Sequence, residues 1–149
     1  MKRRALLIIL FLIPALAGFS QISIRIFART RPSSLFFTAE RGIFVLHDGA
    51  AGVVRISTGD VMAVSMHGKR IIYRTLSGTG GAADSITFIP ATADALFSVR
   101  APGSEEPEKT LEGTLKIKPF PGSLQILNIT AVENCLPGVV RAEAGKFGP

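Results

Sequence analysis

The sequence has few of the residues that form disulfides and metal sites. Its single cysteine, Cys135, has no partner for an internal disulfide. Its two histidines, His47 and His67, lie twenty residues apart, and no cluster of cysteines or acids surrounds them at metal-ligand spacing. We therefore expect no disulfide framework, no metal site and no cofactor.

Strong charge is also lacking. The chain has 17 Lys and Arg residues against 11 Asp and Glu, for a net charge of +6. Three of these cations, Lys2, Arg3 and Arg4, precede an apolar run at the N terminus, so the rest of the chain has a net charge of only +3. The remaining cations form no run, and aromatic residues are not interleaved with them. This composition argues against nucleic-acid binding.

The N terminus has the layout of a secretory signal. Its three cations are followed by an apolar run over residues 5–16 and then by small residues. Pro14 interrupts this run, which is shorter than the ~20 apolar residues of a membrane span. We predict a signal peptide at residues 1–20, cleaved after Ala17 or just before Gln21, and export to the periplasm or the cell exterior. The alternative is an uncleaved anchor, which is the only form in which we expect a membrane attachment. Phe19 stands where a lipoprotein would need its lipidated cysteine.

Short segments of alternating apolar and polar residues fill the chain from about residue 21 to residue 129. Ten such segments, among them "ISIRIFA", "GIFVLHD" and "SITFIP", are separated by turn signals such as Asp48-Gly49 and Pro121-Gly122. This pattern predicts a mainly β, antiparallel fold, either a sandwich or a barrel. The glycine-rich residues 77–85 lack the ending of a phosphate-binding loop and are predicted as a hairpin loop. Residues 101–110, rich in proline, glycine and acids, are predicted as a solvated connection.

The pattern changes at Thr130. Thr130 and Glu133 have the spacing of a capping box, which predicts a short C-terminal helix that Pro137 and Gly138 stop. Cys135 falls inside this helix, and we interpret it as a small buried apolar residue, because no basic cluster is present to activate a thiol.

The C-terminal segment resembles the stage II sporulation protein D / amidase-enhancer family. The resemblance is carried by "GTLKIKPFPGSLQILNITAVENCLPGVVRAEAG", with a looser likeness over the upstream strands. The matched positions share the family's spacing of a Gly-x-Leu strand, a strand ending in Asn, an acidic short helix and a glutamate after small residues. They are Gly113, Leu115, Asn128, Glu133, Leu136, Gly138, Val139, Val140 and Glu143. Cys135 stands where the family usually has an aromatic residue, and Asn134 where an acid is frequent.

The resemblance implies lytic transglycosylase activity on the glycan strands of peptidoglycan, with Glu143 as the acid/base. One carboxyl suffices for such chemistry when the 6-hydroxyl of N-acetylmuramic acid is the nucleophile. Ordinary glycosidases use two carboxyls. The implied partners are glycan strands and, further, a cell-wall amidase.

The resemblance also divides the chain. It implies a β-rich region over residues 21–109 and, over residues 110–149, the start of an incomplete α+β catalytic domain, because the family's long following helix is not present in the sequence. We therefore expect the 149-residue chain to be catalytically inert. The alternative function is a non-catalytic envelope module that binds glycan or a partner hydrolase.

Overall fold

The computed structural model describes residues 20–49 and 53–134 of the chain. The predicted signal peptide, Cys135 and Glu143 lie outside the described residues, apart from Ser20, which directly precedes the first strand.

The described residues form twelve strands. They are β1 (Gln21–Ile26), β2 (Ser34–Arg41), β3 (Ile43–His47), β4 (Val53–Ser57), β5 (Val61–His67), β6 (Arg70–Thr75), β7 (Gly80–Ala83), β8 (Ile86–Pro90), β9 (Leu96–Arg100), β10 (Lys109–Glu112), β11 (Thr114–Phe120) and β12 (Ser123–Ala131). Residues 132–134 are helical. The mainly β prediction with a helix at the C-terminal end is confirmed.

The strands form two antiparallel sheets of six strands each. Sheet A has the order β1-β12-β11-β8-β3-β4, and sheet B has the order β10-β9-β2-β5-β6-β7. Alternation along the strands directs one set of side chains between the sheets, so the architecture is a sandwich rather than a barrel. β12 pairs with β1, and β11 pairs with β8, so residues 110–131 share both sheets with residues 21–109.

Four phenylalanines join the two sheets at the centre of the core. Phe37 of sheet B stacks on Phe88 of sheet A with ring centroids 4.0 Å apart, and it meets Phe44 of sheet A edge-on at 5.3 Å. Phe97 of sheet B contacts the rings of both Phe37 and Phe44. All four side chains are fully buried. Offset and edge-on ring pairs add about 0.5–1.5 kcal/mol each to the free energy gained by burying the rings.

A polar contact also joins the sheets at a distance from this cluster. The hydroxyl of Tyr73, on β6, donates a hydrogen bond to the Asp48 carboxylate, which follows β3, over 2.8 Å. Gly81 on β7 lies opposite Tyr73, and a Cβ on Gly81 would come within 2.6 Å of the tyrosine oxygen. The small residues of β7 therefore leave room for the buried tyrosine.

The sequence prediction was wrong about two segments and one helix cap. β7 lies within residues 77–85, which were predicted as a loop, and the predicted connection over residues 101–110 ends inside β10. Thr130 lies in β12, paired with Ile22, and the helical residues begin only at Val132. The Val132 amide donates to the Ser20 carbonyl over 2.9 Å, so pairing with the chain before β1 replaces the predicted capping box.

Removing the ring of Phe37 should destabilise the whole sandwich. We expect Phe37→Ala to lower the free energy of unfolding by about 3–5 kcal/mol, because it leaves a cavity between the sheets. Phe37→Leu should cost less, since it keeps most of the volume. Denaturant unfolding measures both, with Leu76→Ala as control at a side chain that is 82% exposed. An equal, small loss for all three variants would contradict the central role of Phe37.

Tyr73 should titrate above the ordinary tyrosine range. Burial raises its pKa from the usual 10.0, and the hydrogen bond from Tyr73 to Asp48 and the charge of Asp48 raise it further. The chain has one tyrosine and no tryptophan, so tyrosinate absorbance reports on this residue alone. We expect a pKa above 10.0 in the folded protein, a return to the ordinary value in denaturant, and a smaller but persistent shift in Asp48→Asn, because burial is the largest cause.

The raised pKa of Tyr73 determines how the stability of the fold changes with pH. The folded state holds the phenolic proton more tightly than the unfolded state, so the associated stability is present below pH 10.0 and is lost as the pH rises through the folded-state pKa. Unfolding measured across this alkaline range should show the loss in the native chain, and less of it in Tyr73→Phe. The same alkaline loss in both proteins would contradict the assignment.

Candidate functional site

The structure describes four of the positions that carry the family resemblance. Leu115 is part of the core, and Glu133 is exposed on the helical turn. Gly113 and Asn128 meet at the turn between β10 and β11. Glu143, the predicted catalytic residue, lies outside the described residues, as do Leu136 and residues 138–140.

Asn128 braces the turn between β10 and β11. Its side chain is 3% exposed, and its amide donates hydrogen bonds to the backbone carbonyls of Glu112 over 2.9 Å and of Thr114 over 3.5 Å. These two carbonyls flank Gly113. A buried polar group without a partner costs about 1–3 kcal/mol, so the two carbonyls satisfy the buried Asn128 amide and give it a structural role at this position.

The backbone conformation at position 113 and the close approach of β12 both require a glycine there. Its φ is +94°, a region that side chains rarely adopt, and a Cβ would run into the Ile129 carbonyl of β12. The chain can therefore pass from sheet B to sheet A beside β12 only with glycine at this point.

A groove opens beside this turn. Its volume is about 370 Å³, and it is lined by Pro90, Ala91, Thr92, Ala93, Ala95, Glu112, Gly113 and Asn134. We call it the β10–β11 groove. Three separate parts of the sequence meet there: the β8–β9 loop, the β10–β11 turn and the helical turn after β12. The chain continues from Asn134 toward Glu143.

Two polar side chains define the chemistry of the groove. The Asn134 amide donates a hydrogen bond to Glu112 Oε2 over 3.2 Å, and both side chains are exposed to solvent. The Thr92 hydroxyl is already engaged, because its oxygen accepts the Ile43 amide at 3.1 Å. The groove thus offers one carboxylate acceptor and one amide beside alanine and proline side chains. An acid in place of Asn134 would set two carboxylates against each other.

Sequence reasoning missed Glu112 and Asn134 as a pair. Asn134 was noted only as a departure from the family. Glu112 was predicted at the start of the segment "EGTLKIK", whereas the structure places it at the end of the separate strand β10. Their separation of 22 positions along the chain carries no local signal.

A second polar cluster lies on the outer face of sheet B. The Ser98 hydroxyl, on β9, contacts Glu40 Oε1 at 2.6 Å and Glu108 Oε1 at 2.8 Å. A serine has one proton and donates to one carboxylate at a time. Glu40 sits at a β-bulge in β2, between Ala39 and Arg41. Both glutamates are exposed on an open sheet face, so the cluster ties β2, β9 and the start of β10 together rather than enclosing a substrate.

The histidines of the described residues, 20–49 and 53–134, lie apart from any acidic or cysteine cluster. His47 and His67 are exposed at the ends of β3 and β5, and no group of three His, Cys, Asp or Glu residues in these ranges could hold a metal ion. Within the same ranges, no helix is long and apolar enough to cross a membrane.

Replacing Gly113 should cost more than replacing a glycine of similar backbone geometry. We expect Gly113→Ala to lower the free energy of unfolding by about 1–2 kcal/mol from the left-handed backbone alone, with an added loss from the contact with β12. Gly103→Ala is the matched control, since Gly103 has a φ of +72° and open space around its Cβ position. Thermal unfolding compares them, and equal losses would show that the contact with Ile129 is unimportant.

The chain was compared with models of known protein families, with curated proteins and with solved structures, and no match was found in any of the three. The family resemblance therefore stays a prediction that rests on the residues quoted above.

Proposed function

We propose that this chain is an exported cell-envelope protein that binds the glycan strands of peptidoglycan at the β10–β11 groove. The observation that carries the proposal is the pairing of Glu112 and Asn134 in a groove that is also lined by alanine and proline. The proposal also rests on the signal-like N terminus.

The chemistry of the groove suits an amino sugar. A sugar ring presents hydroxyl and acetamido groups at its edges and a less polar face of C–H groups. The Glu112 carboxylate can accept from hydroxyls, and the Asn134 amide can both donate and accept. Methyl groups of Ala91, Ala93 and Ala95 can pack against the ring face. The groove volume of about 370 Å³ falls in the range of small-molecule sites.

A second candidate function is cleavage of the same strands by Glu143. It is favoured by the position of the brace: Gly113 and Asn128, two of the matched residues, shape the turn that borders the groove. In this function Glu143 protonates the glycosidic oxygen and later accepts the proton of the sugar 6-hydroxyl. The groove residues hold the strand.

Glycan binding is tested by sedimentation of the full chain with purified peptidoglycan. We expect the chain to sediment with the sacculi, and the double variant Glu112→Gln/Asn134→Ala to lose most of this binding. Glu105→Gln is the matched control, because Glu105 is an exposed acid outside the groove. Thermal unfolding confirms that each variant folds. Equal sedimentation of the native chain and the double variant would contradict the groove as the binding site.

Cleavage is tested in the same samples by release of anhydro-muropeptides. The 149-residue chain itself is expected to release none. General acid–base catalysis typically contributes ~10²–10⁴-fold to a rate, so in a version extended by the family's long following helix Glu143→Gln should remove product release while leaving sedimentation unchanged. Binding without release supports the module function alone. Release that survives in Glu143→Gln would rule out the assigned role of that glutamate.

A further inference from the structure

The outer face of sheet A differs from the rest of the sandwich in its charge. Alternation along a strand places every second residue on this face. The basic residues at outward positions are Arg25 on β1, Lys116 and Lys118 on β11, and Arg55 on β4. None of the outward positions on the six strands of sheet A is an Asp or Glu.

The pairing register sets the spacing of these cations. Arg25 lies opposite Leu127, and Leu127 lies opposite Lys116. Arg25 and Lys116 are therefore two strands apart, or ~10 Å at the usual spacing between strands. Lys118 extends the set along β11, and Arg55 lies on the far edge strand. The cations are thus spread over the whole width of the sheet.

These cations are not neutralised within the described residues. The salt bridges there involve Arg41, Arg70 and Lys109, none of which is on this face. The Arg25 guanidinium lies over the Phe120 ring at 5.2 Å. Its Nη2 atom is buried and has no acceptor among residues 20–49 and 53–134, so Lys116, Lys118 and Arg55 are the cations of this face that are open to a ligand.

Apolar side chains lie between the cations. Ile89 and Phe120 are 39% and 38% exposed and both point outward from sheet A. They are two of the four large apolar side chains that the described part of the chain exposes. Leu127 and Val45 are half-buried on the same face. The outer face of sheet B differs, since Glu40 and Glu108 lie on it beside its cations.

We propose that the outer face of sheet A binds the surface of a membrane that contains anionic lipids. This face is the broad surface of a sheet, and its positive charge is complementary to lipid phosphates. The exposed side chains of Ile89 and Phe120 can enter the headgroup region. A soluble polyanion would use the cations but not the apolar side chains. This binding is separate from the glycan site, because none of the cations lines the β10–β11 groove.

The test compares the full chain on vesicles of phosphatidylcholine alone and on vesicles that also contain phosphatidylglycerol. Because the apolar residues 5–16 can contact either lipid, the measured quantity is the ratio of the two affinities. Each Lys or Arg near an anionic surface contributes about fivefold to binding, so Lys116→Gln/Lys118→Gln should reduce the ratio by about thirtyfold. Lys69→Gln/Arg74→Gln removes the same charge outside the face and should change the ratio little.

A second variant separates a membrane from a soluble polyanion. Ile89→Thr should weaken binding to the anionic vesicles but leave binding to soluble polyphosphate unchanged. An affinity ratio near one for the native chain would overturn the proposal. Equal losses in the two double variants would overturn it, because net charge would then be the cause. The proposal would also be overturned if the chain bound polyphosphate more tightly than anionic vesicles and Ile89→Thr did not change binding to the vesicles.

Discussion

The stacked rings of Phe37 and Phe88 are the contact on which the rest of the sandwich depends. They belong to opposite sheets and lie 4.0 Å apart, and Phe44 and Phe97 both pack against Phe37 and against each other. Each ring comes from a strand that is paired on both edges, since β2, β3, β8 and β9 all lie inside their sheets. The cluster thus aligns the two sheets at their inner strands, which cannot shift without breaking the backbone hydrogen bonds to the strands on both sides.

The edges of the sandwich depend on this centre. β1 and β12 are neighbours in sheet A, so Gln21, the first strand residue described, pairs with Ala131, the last. Pairing over so long a stretch of chain is entropically costly, and it becomes favourable once the inner strands are in place. The turn at Gly113 and its brace, Asn128, then connect the edge strand β10 to the inner strand β11. A functional groove built on these elements inherits its rigidity from the core.

Much of this fold could be predicted from the sequence, because alternating apolar residues indicate strands locally. Ten segments were found in this way, including those that carry the four core phenylalanines. β7 was missed because Gly80, Gly81 and Ala82 have almost no side chains with which to show alternation. The bulge at Glu40 was missed because a single extra residue leaves the pattern of β2 nearly intact. The groove had no local signal at all, since Glu112 and Asn134 come together only through the pairing of β10, β11 and β12.

The same structural facts change how the family resemblance is understood. Gly113 and Asn128 matched a family pattern, and each has a structural reason: a left-handed turn without room for a Cβ, and a buried amide that bonds the two carbonyls of that turn. Any chain that crosses between sheets in this way would favour the same two residues. Matches at such positions indicate a shared turn more strongly than a shared reaction. Glu143 lies outside the described residues, so the proposal of catalysis rests on its match to the family pattern and on the position of the brace beside the groove.

The two proposed surfaces are adjacent because of the path of β8. Ile89 is exposed on the outer face of sheet A, and the next residue along the chain, Pro90, lines the β10–β11 groove. β12 makes a similar connection, since Leu127 lies on the outer face and the strand leads to Asn134 in the groove. A protein held to a membrane by the outer face of sheet A would carry the groove at the margin of the lipid surface, open to the side. Glycan strands that run next to a membrane would then reach the groove without passing under the protein, so the two sites can be occupied together.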